Sequence, residues 1–168
     1  MSSITIRTAT RDDIPEIHAM LGELAEFEKL ADQFVGTAEQ MELEIFDRAG
    51  GPEALVAEDP AGDLVAYAIY FENFSTFLCK RGIYLEDIYV RPAYRKQGIG
   101  KRILSKLAEI ARQRDCGRME WCVLDWNQNA IDVYEAIGGD VLPDWRIVRL
   151  DQTAIADLAN KSPESDHG

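Results

Sequence analysis

The residues best suited to chemistry lie in one short basic loop, Arg95-Lys96-Gln97-Gly98-Ile99-Gly100. Two glycines let the backbone approach a ligand closely. The apolar spacing that follows predicts a helix, whose first N–H groups are unpaired and carry the positive end of its dipole. Such a helix start binds phosphate. Two phosphate motifs are excluded. No Gly stands five residues before Gly100, and Arg102 follows Lys101, so the Walker pattern fails; Ile103 stands where a dinucleotide fingerprint needs its third Gly.

The elements that must position this loop are a strand before it and a helix after it. Tyr84 to Val90 is β-branched and aromatic, and Pro92 ends it. Strand alternation would put Glu86 on one face with Tyr84, Ile88 and Val90. From Gly98 onward Ile103, Leu104, Leu107, Ala108 and Ala111 recur at helical spacing. Upstream, Ile4 to Arg7 reads as a strand. Thr10 with Asp13 and Thr37 with Gln40 form capping boxes for two helices. Ala54–Ala57 and Leu64–Phe71 read as a hairpin, and Asn73 to Arg81 as a loop. Downstream are expected a strand over Arg118 to Leu124 and a helix over Ala130 to Ile137, closed by Gly138-Gly139. A strand over Trp145 to Leu150 and a small helix near Thr153–Leu158 complete the order. That order, βααβββαβαβ, predicts an α/β (α+β) fold, a mixed sheet flanked by helices, in one domain over 1–159. The polar stretch 160–168 reads as a disordered tail.

At 168 residues the chain can bury a core of its own. No apolar run is long enough to span a membrane, and no signal peptide is evident, so a cytoplasmic protein is expected. Three cysteines without paired spacing predict reduced thiols, neither a disulfide framework nor a metal site, and Cys122 reads as buried filler. The net charge is −12, yet residues 91–114 hold eight Lys or Arg against Glu109 alone. That segment is +7 and the remainder −19. An acidic body argues against nucleic acid, while a basic island suits an anionic ligand and acidic surroundings a cationic one.

Arg95-x-x-Gly98-x-Gly100 after an apolar strand resembles the coenzyme A pyrophosphate loop of the GNAT (GCN5-related) N-acetyltransferases. Leu85-Glu86-Asp87-Ile88-Tyr89-Val90 is similar to their central strand. Asp125-Trp126-Asn127, then Ala130 and Tyr134, resembles their next loop and helix, and Gly138-Gly139 its end. The resemblance covers roughly Ile4 to Leu150 and lies nearest the diamine and thialysine acetyltransferases. The short segment Val141 to Asp144 departs from relatives that carry extra acids there, and Glu120 stands where diamine acetyltransferases carry a His.

The resemblance implies acetyl-CoA as co-substrate, a small amine such as a polyamine, diamine or thialysine as acceptor, direct transfer and a homodimer. It also implies the site. Ile88, Tyr89 and Val90 would hold the acetyl and pantetheine through their backbone, residues 95–101 (Arg95, Lys96, Gln97, Gly98, Ile99, Gly100, Lys101) the pyrophosphate, with Asn127 and Asn129 also on the cofactor. Tyr134 would protonate the departing sulfur; read from its helix alone it is a core residue with its hydroxyl at the rim. Glu86 would take the amine's proton, through a water in resembling enzymes, or else only anchor the amine. Phe27, Glu28, Glu86, Asp87, Asp144 and Trp145 would line the amine site. A protein N-terminus or lysine, an amino acid or an aminoglycoside remain alternative acceptors, and a non-catalytic acetyl-CoA sensor the rival from outside enzymes.

Overall fold

The computed structural model describes residues 3–161. It divides into two compact units, the first ending at Cys122 and the second beginning at Val123.

The first unit is built on a five-stranded sheet in the order β1-β2-β3-β4-β5. Its strands are β1 (Thr5–Thr8), β2 (Glu53–Glu58), β3 (Leu64–Ser75), β4 (Lys80–Val90) and β5 (Arg118–Glu120). The first four are antiparallel neighbours, and β5 runs parallel to β4. The stretch expected to be a loop over Asn73 to Arg81 is instead mostly strand. β3 runs on to Ser75 and β4 starts at Lys80, leaving a four-residue turn. Ser75 is buried and its hydroxyl accepts from the Leu78 N–H at 3.2 Å, so a polar residue closes the turn from inside. The strand expected over Arg118 to Leu124 is paired only as far as Glu120.

Both capping boxes form. The Thr10–Asp13 box precedes α1 (Ile14–Phe27), and the Thr37–Gln40 box opens α2 (Ala38–Glu42), which continues as a π turn over Leu43–Asp47. Ile14, Ile17, Met20 and Leu24 on α1 pack with Val56, Tyr67, Ile69 and Tyr89 of the sheet in one apolar cluster. On α3 (Ile99–Gln113), Ile99, Ile103, Leu104, Leu107 and Ala111 are buried, and the helix packs against β4.

The β3–β4 ladder is irregular near its middle. Asp87 pairs with Ile69, but Leu85 pairs with Tyr70, so β4 carries one residue more than β3 across this step. The extra residue is Glu86, at a β-bulge. The bulge overturns the expected alternation. Tyr84 pairs with Phe71 and Asp87 with Ile69, and both partners lie on the same face of β3 as Tyr67. Asp87 therefore joins Tyr84, Tyr67 and Tyr89 on the α1 face, while Ile88 and Val90 lie on the other.

In the second unit, α4 (Gln128–Ala136) and α5 (Gln152–Asn160) are helical. The strand expected over Trp145 to Leu150 does not form; that segment has no regular structure and its Trp145, Ile147, Val148 and Leu150 are exposed. Of the expected tail, Asn160 ends α5, and 162–168 lie outside the described residues.

Candidate active site

The loop between β4 and α3 is shaped by backbone geometry. Gly98 caps α3 with φ of +77°, a left-handed conformation that glycine alone adopts without strain. Lys96 adopts φ of +61° two residues earlier. The first intrahelical bond there runs from the Arg102 N–H to the Gly98 carbonyl at 3.0 Å, so Ile99, Gly100 and Lys101 present N–H groups from the open turn. A Cβ on Gly100 would meet only Val90 Cγ2, at 3.8 Å. Packing therefore does not require glycine here; what glycine preserves is the approach to those N–H groups. The loop thus fits an anionic diphosphate.

Most of the basic island serves the fold. Arg91 donates to Glu23 at 3.0 Å and to the Leu64 carbonyl at 2.9 Å; Arg102 reaches the Ile4 carbonyl at 2.8 Å. Lys106 pairs with Glu109, and Arg114 with Glu53 and Glu72. Arg95, expected to face the ligand, turns back onto the body: its Nε donates to the Val90 carbonyl at 2.8 Å and its guanidinium lies over the rings of Phe27 and Tyr89, 5.2 and 5.5 Å from their centroids. Of the loop's side chains, exposed Lys96 and Lys101 are the cations that flank the helix start.

The β4 edge adds a second feature. The β4–β5 ladder covers only Gly82 to Tyr84, so no described strand pairs with the outer side of β4 from Leu85 to Val90. An extended amide-bearing arm can pair there, leading from Ile88 and Tyr89 toward the helix start. The Val90 carbonyl is the exception, since Arg95 occupies it.

Acidic groups gather on the α1 face. Burial pushes the Asp87 carboxyl up to about 6, and the charges of Glu86 and Glu28 add to that rise. Glu28, half-buried at the end of α1, is also raised by burial. Glu86 itself is exposed. Glu23 accepts from the Tyr89 hydroxyl at 3.0 Å, which holds that ring beside Asp87's strand position. Tyr67 is fully buried and lies under the influence of Asp87 and Glu28. Phe27, Glu28, Glu86 and Asp87 are thus brought together in the first unit.

The remaining expected residues belong to the second unit. Asn127 caps α4, its side-chain oxygen accepting from the Ala130 N–H at 3.3 Å, which leaves its amide as the group that can donate. Asn129 and Tyr134 lie on α4. The helix ends in a Schellman motif: the Gly138 N–H reaches the Glu135 carbonyl at 3.0 Å and the Gly139 N–H the Tyr134 carbonyl at 2.9 Å. A Cβ on Gly139 would stand 2.8 Å from that Tyr134 oxygen, so the glycine pair fixes the backbone of Tyr134. Asp144 and Trp145 lie in exposed irregular chain. Cys122, expected to be buried, is exposed at the end of the first unit, with its sulfur 3.1 Å from the Tyr84 hydroxyl.

Known proteins resemble this chain in sequence and in fold. Residues 20–138 match the Acetyltransferase (GNAT) family. The chain belongs to that family. It is 39% identical over 171 residues to the thialysine N-epsilon-acetyltransferase of Bos taurus, with 96% of this chain and all of that protein covered. It is 32% identical to the L-ornithine N5-acetyltransferase of Arabidopsis thaliana, over 89% of this chain and 85% of that one. Among solved structures, an aminoglycoside N-acetyltransferase in complex with CoA superposes with a TM-score of 0.72 at 16% identity, covering 89% of this chain and 96% of that one; this likeness is one of fold. This GNAT chain is therefore an acetyltransferase enzyme. No helix among its described residues is long and apolar enough to cross a membrane.

Proposed function

We propose that this enzyme moves the acetyl group of acetyl-CoA directly to the primary amine of a small cationic, lysine-like acceptor. The observation that carries the reading is the acidic cluster of half-buried Asp87 and Glu28 with exposed Glu86, on the same unit as the glycine-opened helix start. A primary ammonium keeps its proton to about pH 10.4, so acceptance requires carboxylates that attract the cation and one that removes a proton. The relatives named for acetylating thialysine and ornithine support the same acceptor class.

When bound, acetyl-CoA supplies the thioester whose carbonyl the amine attacks. The N–H groups of Ile99, Gly100 and Lys101 would hold its diphosphate, with Lys96 and Lys101 as flanking cations. The unpaired edge of β4 at Ile88 and Tyr89 would orient its arm and offer a donor to the carbonyl oxygen. Asp87 is the stronger candidate for taking the amine's proton, because its raised pKa brings it nearer the operating pH. Glu86, exposed beside it, anchors the incoming ammonium or relays the proton through water. Tyr134 supplies the proton to the departing sulfur, and Asn127 and Asn129 contribute amide donors to the cofactor. Asp144 and Trp145 contribute to amine selection. Sedimentation is expected to show a homodimer, as the family resemblance implies, and cell fractionation a cytoplasmic protein.

Thiol release from acetyl-CoA, measured with thialysine, lysine, ornithine, spermidine and putrescine in parallel, tests the proposal. Turnover on thialysine, lysine or ornithine in preference to spermidine supports a lysine-like acceptor. Turnover on spermidine alone would overturn that class, and silence on all five, with acetyl-CoA still bound, would favour a sensor.

A further inference from the structure

Tyr67 is anomalous for a core residue. It sits in the middle of β3, fully buried, its ring tilted against Tyr89 at a centroid distance of 6.4 Å. Its hydroxyl has no hydrogen-bond partner among the described residues. A buried phenol left unpaired costs free energy that phenylalanine would avoid while filling the same ring volume. The hydroxyl does not lie in an apolar region, however: Asp87 and Glu28 are the carboxylates that act on it most strongly, followed by Glu23. Glu23 is already engaged by the Tyr89 hydroxyl at 3.0 Å and by Arg91 at 3.0 Å. Asp87 shares the α1 face of the sheet with Tyr67, and Asp87 and Glu28 are both half-buried.

Resting on the amine-acetylation reading, we infer that the Tyr67 hydroxyl is a specificity contact for the acceptor. Its oxygen receives one N–H of the primary ammonium whose other two are taken by Asp87 and Glu28. A primary ammonium has three N–H donors, and two carboxylates with a phenol oxygen match them in number. An N-methylated amine lacks one donor and would leave an acceptor at this site unpaired, which is how polar pockets discriminate strongly.

The test compares the full-length enzyme with Tyr67→Phe, using lysine, thialysine and Nε-methyl-lysine as acceptors. The expected variant unfolds at the same or a higher temperature, because an unpaired hydroxyl has been removed. Its KM for the primary amines rises about tenfold, as loss of a hydrogen bond to a charged donor implies. Its KM for acetyl-CoA stays unchanged, and its preference for lysine over Nε-methyl-lysine shrinks. Unchanged amine KM and preference in the variant, with the wild type active, would overturn the Tyr67 contact alone. A variant that fails to fold would also overturn it, since the oxygen would then be structural. A wild type inert to all three amines would overturn the contact together with the amine reading.

Discussion

Tyr84 and Asp87 face the same side of the sheet although they stand three positions apart, because Glu86 is an extra residue in β4 opposite the Ile69–Tyr70 step. In a regular strand they would point to opposite faces. The bulge therefore moves Asp87 out of strict alternation and into the acidic cluster beside Tyr67 and Glu28.

Asp87 should cost the fold stability while serving the reaction. Its folded pKa of about 6 lies above its ordinary value of 3.8, so its contribution to stability is complete below 3.8 and lost as pH rises through about 6. At pH 7 the wild type carries that penalty, and Asp87→Asn removes it. The variant is expected to gain about 1–3 kcal/mol at pH 7 and nothing near pH 3, by denaturant unfolding. Its turnover should fall by about 100-fold or more. Wild-type kcat/KM should decline below about pH 6, and Glu86→Gln should keep that limb if Asp87 is the base.

The two glycines of the loop should separate folding from binding. Gly98→Ala forces a side chain into φ of +77° and should cost about 1 kcal/mol of stability. Gly100→Ala meets only ordinary contact with Val90, so it should leave the melting temperature unchanged or raise it. Both should weaken acetyl-CoA. Calorimetric titration is expected to show about a tenfold loss or more for Gly100→Ala despite its intact fold.

Tyr134→Phe tests the proton donor. At saturating substrates kcat should drop about 100-fold with both KM values little changed. Wild-type turnover in this variant would remove Tyr134 from the chemistry. Gly139→Ala, whose Cβ would press on the Tyr134 carbonyl at 2.8 Å, should lower kcat in the same direction through the displaced helix end, and destabilise as well.

Asp13 illustrates a carboxylate of the opposite kind. The Arg7 guanidinium, 2.7 Å away, and the Thr10 N–H hold its pKa below the ordinary range. Its contribution is present above the unfolded value and lost as pH falls through the folded one. Asp13→Asn should cost about 1–3 kcal/mol at pH 7, and the difference from wild type should vanish in strong acid.

By itself the sequence determined the parts whose physics is local. The capping boxes at Thr10 and Thr37, the glycine-opened start of α3 and the Gly138-Gly139 stop are each fixed by a few adjacent residues competing for the same backbone groups. The motifs Arg95-x-x-Gly98-x-Gly100, Leu85 to Val90, and Asp125-Trp126-Asn127 followed by Tyr134, in that order along the chain, carried the resemblance to the GNAT family. Tertiary structure decided what depends on pairing between distant segments. Which strand holds the extra residue is a matter of register between β3 and β4, so neither the placement of Asp87 nor the burial of Tyr67 beside it could be read from alternation. Pairing also decided that Asn73 to Arg81 closes as a hairpin and that Trp145 to Leu150 stays unpaired, since a strand is stable only with a neighbour. Arg95 belongs with them: as a charge along the chain it suits a phosphate, and only the packed Phe27 and Tyr89 rings and the Val90 carbonyl turn it inward.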